Sequence, residues 1–318
     1  MKKAFILYLI FGLVSAHAQQ IIDNPKTPLN KKPGRILTLK EVMRIDGEGE
    51  NYYYNGANEL QIDKSGNIYL RDVWHSSQRM HLPKFSPDGK FVKEYKTKPG
   101  SSKALIGSFK DWLVFVRKVR PSERKKSRLY DIRMIIVFIS KDGEIEKDFY
   151  TFLHKEFIIS SAQGGGMMSW DPFISVIEDN KLYVCSSREY LIAILDLKTG
   201  KITTRFKRKY PSVRHELRDS EKKFISKYNA PKKKFEPDIK DLLCDRGYLW
   251  IKTSIENKEK GSLFDLYDSE GRFLDSFFIN IKGRILKIDG NFLYTSEYDE
   301  DYLPYLVKYR IVDSLWTQ

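Results

Sequence analysis

Five times along the chain a tight polar turn leads into a short alternating strand with an aromatic or apolar residue near its end. These segments are SGNIYL at 65–70, KDWLVF at 110–115, DNKLYV at 179–184, RGYLWI at 246–251 and DGNFLY at 289–294. Four times a second turn ending in Gly follows: SPDG at 86–89, SKDG at 140–143, LKTG at 197–200 and DSEG at 268–271. Short alternating strands joined by tight turns make an antiparallel meander, and its regular repetition is the signature of propeller blades. The chain is therefore read as all-β, a single β-propeller with five countable blades.

The aligned strand positions are Tyr69, Val114, Tyr183, Trp250 and Tyr294, spaced 45, 69, 67 and 44 residues apart. Two intervals are ordinary for a blade and two carry extra chain, which falls near 117–128, 151–172 and 207–237. The last unit ends at KYRIVDSL without a second turn, so it lacks an outer strand, while RILTLKEVMRI at 35–45 is a strand without a unit. Pairing the two closes the ring and removes the open sheet edges that invite aggregation. Closure by the N-terminal strand is expected, with 19–34 as a linker and 35–318 as the propeller.

ELQIDKSGNIYLRD followed by KFSPDGKFVKEY, and DLLCDRGYLWIKTS followed by LFDLYDSEGRFLDSF, resemble NHL-like repeats. In particular they resemble the six-bladed propeller proteins secreted by bacteria, a family with no assigned reaction. The resemblance covers most of the chain. It implies a binding scaffold and six blades, against the five countable here.

Lys2 and Lys3, an apolar run from Ala4 to Val14 and Ala16-His17-Ala18 before Gln19 read as a cleaved signal peptide over residues 1–18. No Cys follows the cleavage position, and no later apolar stretch has the length of a bilayer span. A periplasmic or secreted protein, monomeric and without a transmembrane segment, is expected. Cys185 and Cys244 lie within apolar strand patterns and are read as buried free thiols, with a single disulfide as the alternative. The formal charge of +14 points to an anionic partner, and outside the cytoplasm that favours glycans, lipid head groups or acidic proteins over nucleic acid.

Strands within a blade alternate in direction, so both sets of short turns share one end of the propeller. The three additions share the other. Loops on a rigid β scaffold are where binding residues collect. The elaborated end gathers Trp74, His75 and Arg79, then Trp170 and Asp171, Arg188 and Tyr190, and Glu297, Tyr298 and Asp299. Aromatics beside charges suit a glycan or peptide site, although Trp74 and Tyr190 equally suit packing between blades. A basic rim is expected from Arg117, Arg120, Arg124, Lys125 and Lys126 in one addition and Lys232 and Lys233 in another. DSEKKFISKYN at 219–229 spaces Phe224, Ile225 and Tyr228 as a short helix.

None of the histidines stands at metal-ligand spacing, the EYDED run lacks the Gly and spacing of a calcium loop, and no G-x-S-x-G occurs. No metal or cofactor is expected. The reading is a non-catalytic extracytoplasmic scaffold that binds a glycan, peptide or protein on its long-loop face. The alternative is a metal-dependent, lactonase-like hydrolase or lyase with its site at the central channel, for which Asn58, Glu59, Asp238 and Asp241 are the candidates.

Overall fold

A computed structural model describes residues 21–313, except 31–32, 50–51, 54–56, 64, 73–80, 97–102, 111, 120–127, 141–144, 159–166, 169–172 and 187. These residues form a β-propeller of five blades, the number countable from the repeats rather than the six of the resembling family. Blade 1 is Ala57–Ile62, Ile68–Asp72, His81–Phe85 and Phe91–Lys96. Blade 2 is Lys103–Phe109, Trp112–Val119, Arg128–Ser140 and Glu146–Ile158. Blade 3 is Phe173–Glu178, Lys181–Ser186, Leu191–Asp196 and Lys201–Arg208. Blade 4 is Ile239–Asp245, Tyr248–Asn257, Gly261–Asp268 and Phe273–Ile279. Blade 5 takes Arg284–Asp289, Phe292–Tyr298 and Pro304–Ile311, and its fourth strand is Leu39–Asp46 from the N-terminal region.

Four of the repeated turns work through one side chain each. Asp63 accepts from the backbone N–H of Ser65 and Asn67 and from Asn67 Nδ2 and Tyr69 OH, which lowers its pKa to about 2. Asp196 and Asp268 close the later turns in the same way, as does the Ser86 hydroxyl. An Asp or Ser at the turn entry is thus a local device that replaces backbone partners lost where the chain reverses.

Four of the seams between blades hold an apolar cluster, one each for blades 2–3, 3–4, 4–5 and 5–1. The aligned residues Val114, Tyr183, Trp250 and Tyr294 fall one in each of those clusters, at 0–2% exposure. Both faces of a blade are covered by its neighbours, so its strands carry apolar residues on both sides. Cys185 and Cys244 are free thiols buried together in the 3–4 cluster, and burial pushes both pKa values up.

The same seam contains a charged cluster. Asp265, fully buried, accepts from Arg208 Nε at 2.8 Å, Tyr190 OH at 2.6 Å and Ser276 Oγ at 3.0 Å. Arg208 lies over the rings of Tyr190, Tyr210 and Phe273, with its Cζ 5.1, 5.2 and 4.8 Å from their centroids. Burial pushes the Asp265 carboxyl up, against the guanidinium and two hydroxyls that favour its ionised form. The planar guanidinium serves as both ion-pair partner and stacking surface, a role that Lys cannot fill.

The segment expected as a linker, 19–34, contributes a strand, and a second follows it directly. Ile21–Asn24 runs parallel to the outer strand of blade 3, and Arg35–Ile36 runs parallel to that of blade 4. Asn24 fixes this lacing: its Nδ2 donates to Gly271 O at 2.9 Å and its Oδ1 accepts from Phe273 N at 3.0 Å. Two of the additions are also partly strand, because the third and fourth strands of blade 2 are 13 residues each and pair from Ile139↔Glu146 to Arg128↔Ile158. The third addition contains the expected helix, Asp219–Tyr228, entered at Arg218. No helix among the described residues is long and apolar enough to cross a membrane.

Candidate functional site

On the end where the long connections emerge, a cleft of about 480 Å³ opens between blade 2, blade 3 and the 207–237 addition. Blade 2 supplies Leu129 and Lys155 from its long strands, and the turn after the second strand of blade 3 supplies Arg188 and Glu189. The remaining wall is Ser212, the run from Pro231 to Glu236, and Asp238.

That wall is a small folded unit. Residues 213–215 run antiparallel to 234–236 through the Arg214↔Phe235 bridge, with Glu236 N donating to Val213 O at 2.8 Å and His215 N to Lys234 O at 3.1 Å. His215 then sits between two carboxylates, Nδ1 at 2.6 Å from Glu236 and Nε2 at 3.2 Å from Glu221. Glu221 also accepts from Arg218 N at 2.8 Å, which satisfies the entry of the helix. Asn229 ends the helix in the left-handed region at φ 48°, and Ile225 and Ala230 are buried beneath it against Leu217, Phe224 and Tyr228. The cleft wall is thereby tied by backbone bonds on one side and by the imidazole on the other.

Five basic side chains line the cleft against three acidic ones, so its field is positive. Lys233 is neutralised by Glu236, 3.1 Å away. Lys155, Lys232 and Lys234 are exposed and make no ion pair with a described residue. Asp238 has its pKa pushed up to about 6, first by burial and then by the charge of Glu189, against a backbone hydrogen bond from Tyr190 and the charge of Arg208. The native carboxyl holds its proton up to about pH 6 while the unfolded one loses it near 3.8, so the native state binds more protons between these values and stability falls as pH rises through that window. Asp238→Asn is expected to flatten this slope, leaving the variant more stable relative to the parent at pH 7 than at pH 4. Urea titrations at the two pH values check it, and equal effects at both would refute the assignment.

The structure brings Arg188, Lys232 and Lys233 together in the cleft. Other expected site residues are engaged elsewhere. Tyr190 is 4% exposed and spends its hydroxyl on Asp265, because the register that follows Arg188 and Glu189 turns its ring into the seam. Glu297 is 3% exposed and accepts from Thr295 Oγ1 at 2.7 Å and Tyr309 OH at 3.0 Å, because alternate positions in its strand face the neighbouring blade. Tyr298 is half exposed, and the Asp299 carboxylate closes its own turn by accepting from Asp301 N and Leu303 N. Arg117 is not an open rim charge, since it reaches Glu146 at 2.9 Å and Asp148 at 2.6 Å. Trp74, His75, Arg79, Trp170, Asp171, Arg120, Arg124, Lys125 and Lys126 lie outside the described residues, as do residues 1–18, expected as a leader.

Of the channel candidates, Asp238 stands in the cleft wall, and Asp241 faces Arg284 at 3.4 Å. Among the described residues no three His, Cys, Asp or Glu side chains gather as a metal site. Leu129, Lys155, Glu189 and Phe235 are cleft residues that the repeats do not announce. Phe235 had a signal in KKKF, a ring placed directly after a basic run.

Neither a protein-family model nor a curated protein sequence matches the chain. Among solved structures, an exported protein of Bacteroides fragilis is 11% identical with a TM-score of 0.45, over 92% of this chain and 100% of that one. The glutaminyl cyclase of Myxococcus xanthus is 10% identical at 0.40, over 89% of this chain and 100% of that one. The GH43 endo-arabinanase of Bacillus licheniformis is 11% identical at 0.40, over 83% of this chain and 95% of that one. Likeness of this degree passes no activity to this chain.

Proposed function

We propose that the chain is a non-catalytic extracytoplasmic scaffold that binds an anionic glycan, peptide or protein in the cleft between blades 2 and 3. The observation that carries this reading is three exposed lysines, Lys155, Lys232 and Lys234, without ion pairs to described residues, converging from two elements on one concavity. Lysines without partners in a recess meet an anion with little loss of existing interactions. The leader pattern, and the resemblance to NHL-like propellers secreted by bacteria, support the extracytoplasmic setting.

Binding to an immobilised acidic polysaccharide is expected to weaken steeply between 50 and 300 mM salt, since exposed charges are screened on that scale. Changing Lys155, Lys232 and Lys234 together to Ala should remove most of the binding and its salt dependence while leaving the thermal midpoint in place, because all three side chains are exposed. Binding that survives the triple change would refute the cleft as the site. The hydrolase or lyase alternative has Asp238 on its side, since a carboxyl titrating near 6 suits proton transfer. Turnover of a lactone that a chelator abolishes would decide for it.

A further inference from the structure

We infer that the cleft takes an acidic oligosaccharide, a short chain of pyranose rings carrying carboxylate groups, with one ring laid on Phe235. The inference rests on the cleft being the ligand site and narrows the chemistry of what enters it.

The lining is mixed in a way that sorts anions. Lys155, Lys232 and Lys234 call for negative charge, yet Glu189 and Asp238 stand in the same recess. An ionised carboxylate is an acceptor only, so a ligand that displaces water from Glu189 and Asp238 fits them better with hydroxyl donors than with further acceptor oxygens. Inorganic polyphosphate and a nucleic acid backbone offer acceptor oxygens, which suit the lysines and oppose the carboxylates. A uronate sugar offers both, its carboxylate to the ammonium groups and its hydroxyls to Glu189 and Asp238.

Apolar surface narrows the choice further. Phe235 is 50% exposed and Leu129 53% exposed, and both line the cleft. A bare polyanion gains nothing from them. The C–H face of a pyranose ring covers an aromatic ring of this kind, and such contact removes apolar area from water on both partners. The volume of about 480 Å³ is within the range of specific small-molecule sites. The backbone that carries Phe235 is also held before any ligand arrives, since it lies in the bridge with Arg214 between the two backbone bonds of the wall. That preorganisation spares the ordering cost of the platform. An acidic peptide suits the site less, because recognition of an extended backbone uses an open strand edge or a long groove. The extended segment at 234–236 already has one edge bridged to 213–215.

The test is isothermal titration of the full mature chain with four probes: trigalacturonate, its fully methyl-esterified form, tripolyphosphate and triglutamate. Trigalacturonate should bind, and the methyl ester and the other two anions should each bind at least about tenfold more weakly. Phe235→Ala should weaken trigalacturonate roughly tenfold, the loss of one aromatic contact, while leaving tripolyphosphate and the thermal midpoint unchanged. Tripolyphosphate or triglutamate binding as tightly as trigalacturonate would overturn the saccharide and leave an anion cleft standing. Failure of all four probes to bind would overturn the cleft reading along with it. An equal loss of trigalacturonate and tripolyphosphate in Phe235→Ala would remove the stacking role.

Discussion

Asp265→Ala is expected to lower folding stability by about 3–5 kcal/mol, the usual cost of removing one partner from a buried ion pair. The change would leave the Arg208 guanidinium, at 6% side-chain exposure, without its carboxylate among three aromatic rings. It would also strand the hydroxyls of Tyr190 and Ser276. Urea unfolding at pH 7 measures the loss. Arg208→Met in the same background should recover much of it, because an apolar side chain of similar length relieves the uncompensated charge. A single-variant loss below 1 kcal/mol would mean that water reaches the pair. A double variant no better than the single would mean that the arginine's packing, rather than its charge, holds the seam.

Removing the chain through Asp46 is expected to abolish cooperative unfolding altogether. That deletion takes the fourth strand from blade 5, together with Ile45 from the seam between blades 5 and 1 and Leu37 from the seam between blades 4 and 5. The edge of Pro304–Ile311 would then be bare over seven ladder positions, and a long uncovered edge recruits other chains. Calorimetry and light scattering should show a broad transition and oligomers. The register offers a rescue, since Ile311 is opposite Leu39 and the two strands run antiparallel. Residues 39–46 attached after the C-terminus through a tight turn would re-enter along the same edge in the same direction. A restored sharp transition in that graft, and none in a graft of scrambled sequence, is the expected result. Full stability in the truncated chain would show that the edge strand is dispensable.

The fold was readable because its signals are local. An Asp or Ser at a turn entry, a Gly at its exit and an apolar residue at the aligned position each act within a few residues, and four of the five aligned residues prove to be ones that fill the seams. The missing outer strand of the last unit was likewise visible as a deficit, and its partner as a surplus. Charged residues were harder to place, since burial depends on register. Arg208 stands in the run KRK and reads as surface, yet it shares a strand face with Phe206, which is fully buried. Glu297 reads as one acid among several, yet it follows Thr295 on the face turned to the neighbouring blade. The cleft was the least legible of all. Lys155, on a long strand of blade 2, and Arg188 and Phe235, on separate connections, are far apart in sequence, and only the curvature of the ring sets them around one space.

Blade 5 joins residues far apart in sequence, and beside it Thr38 Oγ1 donates to Asp313 Oδ1 across 275 positions. During synthesis Leu39–Asp46, the strand that completes the ring, leaves the ribosome well before its partner Pro304–Ile311. At ordinary elongation speeds that interval is on the order of tens of seconds. Contacts this distant in sequence also form slowly once both strands are present. The nascent chain therefore carries an unsealed strand until Pro304–Ile311 has been made, and closure of the ring waits on that late strand.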